Sequence, residues 1–206
     1  MELVIASKNV HKIREIRAIL KQKVSWDILS LLDFPHYVPL EEEGKTFEEN
    51  AMQKAIHAAT TLEKLVLADD SGLVVPALNG APGIYSSRFA GIGATDRENR
   101  LKLLQQMQHL EDPHRQAYFE CCLVFASPEG MKKVVRGICE GTITREERGS
   151  KGFGYDPIFM KYDYNKTFAE VDEETKNRVS HRRKALDKLL ILLESVSSTN
   201  CVSNPL

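Results

Sequence analysis

The spacing of apolar and polar residues along the chain predicts an α/β protein. Residues 2–6 form the short apolar run of a first strand, and Ile13, Ile16, Ile19 and Leu20 then recur at helical intervals. Residues 24–32 alternate as a second strand does. Phe47, Ala51, Ala55, Ala58 and Leu62 follow at intervals of four, four, three and four, one helix face whose small side chains suit close packing on a sheet. Thr46 with Glu49 has the capping-box spacing that starts this helix, and Thr95 with Glu98 repeats it before a helix expected to bury Leu101, Leu104 and Met107. Between these lies a Gly- and Pro-rich excursion at 73–94. Residues 116–126 predict a long strand, Pro128-Glu129-Gly130 a hairpin turn into a strand at 131–139, and residues 141–144 a separate short strand. A last helix is expected after Ser180 as N-cap, burying Ala185, Leu189, Leu193 and Val196. Residues 1–196 thus make one domain, and 197–206, rich in Ser, Asn and Thr, a flexible C-terminal tail.

One stretch stands apart. Leu65-Val66-Leu67-Ala68 runs directly into Asp69-Asp70-Ser71-Gly72. The apolar run predicts a strand buried on both faces, and taken alone the polar residues after it predict a turn. Successive strand side chains diverge, so the two acids should face opposite ways unless the backbone bends. Carboxylates at the exit of a buried strand are costly unless paired, hydrogen-bonded or neutralised by a cation.

Other signals answer this one. Ser7-Lys8-Asn9-Val10-His11-Lys12 joins the first strand to the first helix, where free N–H groups and the helix dipole favour an anion; Ser7 or Asn9 can cap. Lys12 there, and Lys176 with His181 and Arg182 around the last helix, are cations set against the dipole unless an anion lies between. The run Glu41-Glu42-Glu43 is a solvated loop or a source of a second carboxylate for a divalent cation beside Asp70. Gly152-Phe153-Gly154-Tyr155-Asp156 is a packed-down aromatic turn, or one that offers a ring face to a base; it is not the dinucleotide fingerprint. Singly, each is an ordinary turn, cap or helix end. Together they fit a nucleoside triphosphate with Mg²⁺, which takes one or two carboxylates plus phosphate oxygens and water.

Composition narrows the setting. With 206 residues and a formal net charge of −1, the chain lacks the global basic footprint of a nucleic-acid binder, so an anionic ligand must be held by local cations. The first apolar run is too short for a secretory signal, and no stretch approaches the ~18 apolar residues of a membrane span. The four cysteines, at 121, 122, 139 and 201, contain no C-x-x-C pair; buried reduced thiols and a cytoplasmic location are expected, and a zinc site is not.

The blocks Ser7-x-Asn9-x-x-Lys12, Thr46-Phe47-x-Glu49-Asn50-Ala51, Ala68-Asp69-Asp70-Ser71-Gly72, Gly80-Ala81-Pro82-Gly83-Ile84-Tyr85-Ser86, Gly152 to Phe159 and Ser180-His181-Arg182 occur in this order. Over residues 1–195 the chain resembles the inosine/xanthosine triphosphate pyrophosphatases. That resemblance implies an elongated, two-lobed α/β fold with a long central mixed β-sheet, flanking helices and an active-site cleft between lobes, active as a homodimer. It implies Mg²⁺-dependent hydrolysis of dITP, ITP or XTP to the monophosphate and pyrophosphate. By the same matching, Asp70 is the general base and a metal ligand, and Glu41 is the second ligand, favoured over Glu42 by its spacing to Thr46-Phe47. Ser7, Lys8, Asn9, Val10, His11 and Lys12 form the phosphate loop, and Ser71 touches the substrate. Phe153, Gly154, Tyr155, Asp156, Lys176, His181 and Arg182 complete the nucleotide site, with His181 or Arg182 facing the 6-keto oxygen. Asp69 becomes structural support. The rivals are a related pyrophosphatase acting on pyrimidine or modified nucleotides, and a nucleotide-binding protein without turnover.

Overall fold

The computed structural model describes residues 1–199, with side chains through residue 191. Its centre is a six-stranded mixed sheet. Strand β1 (Glu2–Ile5) leads into helix α1 (Val10–Leu20), which buries Ile13, Ile16, Ile19 and Leu20 as their spacing predicts. Strand β2 (Asp27–Ser30) is shorter than the 24–32 alternation, because Leu31–Asp33 turns into a 3-10 helix, its Asp33 side chain bound to the Ser30 amide and hydroxyl. Helix α2 (Phe47–Leu62) packs through Phe47, Ala51, Ala55, Ala58 and Ala59, while Leu62 is only half-buried. Thr46 accepts the Glu49 amide as expected, but the Glu49 carboxylate takes the amide of Lys45.

Strand β3 (Leu65–Val74) does not stop at the aspartates; it carries both through as buried strand positions. The excursion after it contains two 3-10 turns, Pro76–Leu78 and Gly83–Arg88. Helix α3 (Asp96–Gln106) has the full Thr95/Glu98 capping box, and Met107 just after it is buried as expected, but Leu101 is exposed and Leu104 only half-buried, while Asn99 and Leu103 are buried. Asn99 begins the buried face because its side chain bonds the Ala90 amide and the Ser87 carbonyl. Strand β4 (Gln116–Ser127) turns at Pro128-Glu129 into β5 (Gly130–Ile143), one continuous strand where two were expected. Gly141 does not break it: a Cβ there would lie 2.4 Å from the Met160 carbonyl, so the glycine admits β6 (Phe159–Lys161) at close range. Helix α4 (Glu173–Val179), not anticipated, precedes α5 (His181–Thr199). Ala185 and Leu189 are buried as predicted; the side chains of Leu193 and Val196 and residues 200–206 of the expected tail lie outside the described residues, and 197–199 are helical.

The strand order is β2-β1-β3-β4-β5-β6, with β1 parallel to both β2 and β3 and β5 antiparallel to β6. The chain divides into two units. Unit 1 comprises Met1–Asp70, Cys122–Gly137 and the helix from Arg182; unit 2 comprises Ser71–Cys121 and Ile138–His181. Unit 2 is built on an apolar cluster that includes Leu73, Leu103, Met107, Phe119, Tyr155, Phe159 and Phe168. Cys121, Cys122 and Cys139 are buried, and no helix among the described residues is long and apolar enough to cross a membrane.

Candidate active site

In unit 1 the site grows from parallel strand ends. Ile5 of β1 pairs with Leu67 of β3, and the Ala6 amide bonds the Leu67 carbonyl. The chain therefore leaves β1 for α1 beside the residues that follow Leu67, the carboxyl-end position where open α/β sheets bind ligands. Asn9 caps α1, its Oδ1 accepting from the His11 and Lys12 amides at 3.0 and 3.2 Å, and Ser7 accepts from the Asn9 amide. Lys8, Val10 and His11 are exposed, and Ser7 and Lys12 half-buried.

Because β3 stays extended, Asp69 and Asp70 point to opposite faces, as strand geometry requires. Asp69 faces α1 and α5. Lys12 Nζ lies 2.5 Å from its Oδ1 and Arg182 Nε donates to its Oδ2 at 3.2 Å; Arg182 also donates through Nη1 to buried Glu15 of α1. One internal carboxylate thus supplies the anion that both misplaced helix cations call for. Lys12 and Arg182, the cations expected to face a polyanion, thus also have carboxylate partners within the protein.

Asp70 faces α2. Asn50 donates Nδ2 to its Oδ2 at 3.2 Å while accepting the Gly44 amide on Oδ1 at 2.8 Å, which ties the acidic loop to the strand. Lys54, one turn on, places Nζ at 2.9 Å from Asp70 Oδ1, from Glu42 Oε1 and from the Asp69 carbonyl. Glu42 is the member of the acidic run that pairs with Lys54 beside Asp70; Glu41 is exposed. Burial holds the Asp70 carboxyl above its ordinary range, with Lys54 and Lys12 pulling it part of the way back. Burial acts to lower Lys54, but the charges of Asp70 and Glu42 outweigh it and hold the ammonium above its usual value. Neither Asn50 nor Lys54 was assigned a role from sequence. Their signal was a polar i, i+4 pair on a helix whose inner face is otherwise small and apolar.

In unit 2, Gly152 and Gly154 have positive φ and bracket Phe153. Asp156 Oδ2 accepts from the Phe153 amide at 2.9 Å and from Lys176 Nζ at 2.5 Å, and that ammonium lies 4.5 Å from the centre of the Phe153 ring. Lys176 is therefore not a loose cation at a helix start: it is buried on α4 and paired with Asp156. Tyr155 is buried, its hydroxyl donating to the Ser86 carbonyl at 2.9 Å, and burial pushes its phenol up. His181 is buried and stacks on Phe119, ring centres 4.8 Å apart. Ser71 is half-buried on β3.

The arrangement offers two carboxylates around one cation in unit 1 and an aromatic face beside a lysine in unit 2. No group of three or more His, Cys, Asp or Glu side chains suited to a metal ion occurs among the described residues. The donor set at Asp70 and Glu42 nonetheless suits Mg²⁺, a hard cation that takes oxygen ligands, is content with one or two carboxylates and fills the rest with phosphate and water. A positive charge, the Lys54 ammonium, already sits between those two carboxylates.

Comparisons with known proteins agree with this chemistry. A sequence model described as the Ham1 family matches residues 3–192. A protein of Protochlamydia amoebophila named dITP/XTP pyrophosphatase is 56% identical over 197 residues, covering 95% of this chain and 99% of its own. One of the same name from Chlamydia abortus is 55% identical over 204 residues, covering 98% and 99%. Among solved structures, a HAM1 protein from Coxiella burnetii superposes with a TM-score of 0.86 at 41% identity, covering 95% of this chain and 99% of that one. The Staphylococcus aureus Ham1 protein gives 0.83 at the same identity and coverage. With a family match over nearly its whole length and relatives above half identity, this chain belongs to the Ham1 family.

Proposed function

We propose that this chain hydrolyses deaminated purine nucleoside triphosphates, dITP, ITP and XTP, to the nucleoside monophosphate and pyrophosphate, clearing them from the nucleotide pool. The observation that carries the proposal is the Asp70–Lys54–Glu42 cluster, two carboxylates held around one positive charge beside the first-helix loop. The names of the relatives support the same activity.

Asp70 and Glu42, rather than Glu41, would hold Mg²⁺, which when bound supplies charge neutralisation and orientation at the phosphates. Asp70 accepts the proton of the attacking water as the α–β anhydride bond breaks and pyrophosphate departs with the bond electrons. Lys12 and Lys54 meet the charge that develops on the phosphates, and residues 7–12 hold them through backbone and side chain. Phe153 offers its ring to the base beside Lys176, and His181 or Arg182 donates to the 6-keto oxygen. Adenine presents an amino group there and would leave that buried donor unpaired, a mismatch worth roughly 10⁴-fold. A homodimer in a reducing, cytoplasmic setting is the expected working form, in keeping with cysteines that are few and buried.

The test is pyrophosphate release from a panel of triphosphates with and without Mg²⁺. ITP and XTP should be turned over in preference to ATP, GTP, TTP and UTP, and only with the divalent ion present. Preference for TTP or UTP, or no release from any of them, would overturn the proposal. Sedimentation velocity on the same preparation reports the dimer.

A further inference from the structure

Gly154 sits next to Phe153 with φ +59°, a conformation glycine adopts freely and most residues do not. The turn needs that freedom, yet freedom at this peptide would leave the Phe153 ring poorly fixed. Two side chains on α3 remove it. Asp96 Oδ2 accepts from the Gly154 amide at 2.7 Å, and Arg100 Nη1 donates to the Gly154 carbonyl at 2.7 Å. They stand four residues apart at the start of the helix and so share a face. Arg100 is itself braced by Glu147, through Nε at 2.8 Å and Nη2 at 3.4 Å. The other side of the turn is fixed by Asp156, which accepts the Phe153 amide.

We propose that Asp96, Arg100 and Glu147 form a positioning clamp that fixes Phe153 through the Gly154 peptide and so sets how tightly the nucleobase is held. The proposal rests on the pyrophosphatase reading above, in which Phe153 takes the base. None of the three is a catalytic residue; they act through Gly154. Both polar groups of one glycine are gripped by a single helix, 58 and 54 residues away in sequence. Arg100 adds a forked guanidinium that a lysine cannot reproduce. A clamp of this kind should affect ground-state capture of the base and leave the phosphate chemistry of unit 1 untouched.

The experiment compares full-length wild type with Arg100→Ala, Arg100→Lys and Glu147→Gln, using ITP and XTP as substrates and pyrophosphate as an inhibitor that has phosphates but no base. For Arg100→Ala, KM should rise about tenfold, equivalent to about 1.4 kcal/mol, with kcat within about twofold of wild type. Inhibition by pyrophosphate should be unchanged. Arg100→Lys, still able to reach the carbonyl, should fall between wild type and Arg100→Ala, and Glu147→Gln should show a smaller rise of the same kind. A general structural loss would instead weaken pyrophosphate inhibition together with nucleotide capture. An unchanged KM in Arg100→Ala, or parallel loss of pyrophosphate inhibition, overturns the clamp. Absence of ITP and XTP hydrolysis by the wild type overturns the function itself, and the clamp's role falls with it.

Discussion

Two adjacent acids on one strand do opposite work, and substitution should separate them. Asp69 is fully buried and neutralises Lys12 and Arg182, so Asp69→Asn leaves buried cations short of a partner and should cost about 3–5 kcal/mol of stability. Asp70 is held above the ordinary carboxylate range by burial. A group with a raised folded-state pKa contributes stability below its unfolded value and loses it as pH rises through the folded one, so at neutral pH an amide in its place relieves the fold. Asp70→Asn should therefore melt at or above the wild-type temperature while losing turnover by at least about 10²–10⁴-fold. Denaturant melts and ITP turnover on both variants check this; equal stability losses would sink the distinction. The divergence of the two acids was legible from strand alternation alone. Their partners were not, because Asn50 and Lys54 reach Asp70 from a helix that begins some twenty residues earlier, and Glu15, which holds Arg182, sits among apolar residues of α1. The choice within Glu41-Glu42-Glu43 also needed three dimensions, since only the fold of the loop decides which carboxylate meets Lys54.

Among the elements, the helix starts at Thr46 and Thr95 are legible in the sequence from their capping residues. Features set by tertiary partners are not. Helix α3 shows both: its start was fixed by Thr95 and Glu98, but its buried face was mistaken in part because it begins with Asn99, a polar residue satisfied by distant backbone. Strand β5 was divided at Gly141 because a glycine in a strand looks like a break, when here it makes room for β6. The caps also carry a pH dependence. Backbone hydrogen bonds from Thr95 and Thr175 hold the Glu98 and Asp172 carboxylates below their ordinary values of 4.5 and 3.8. A depressed carboxylate contributes stability above its unfolded pKa and loses it as pH falls through the folded one. The melting temperature should consequently decline as pH falls from about 4.5. Glu98→Gln keeps the capping box without the titration, so this variant should show a flatter decline over the same window; an unchanged acid limb would remove the caps as its source.

At the scale of the whole molecule, a formal net charge of −1 gives no long-range pull on a polyanion, so capture depends on the local balance of charge. In unit 1, among the described residues, Lys12, Lys54 and Arg182 already face the carboxylates of Glu15, Glu42, Asp69 and Asp70, which oppose a triphosphate. This charge ledger was invisible in the sequence, where the cations looked unmatched. It changes the role expected of the divalent ion from a participant in chemistry alone to a condition of binding. In EDTA, wild type should bind ITP weakly. Asp70→Asn, which removes one opposing charge, should bind it more tightly than wild type under those conditions, by roughly tenfold if the relief is about 1.4 kcal/mol. Adding Mg²⁺ should tighten the wild type more than the variant, because the variant has given up one of the two carboxylates that would hold the ion. Calorimetric titration of both proteins with ITP in EDTA, and with a non-hydrolysable analogue in Mg²⁺, measures each step. Equal affinities in EDTA would show that the carboxylates do not oppose the substrate, and the divalent ion would then return to a purely chemical role.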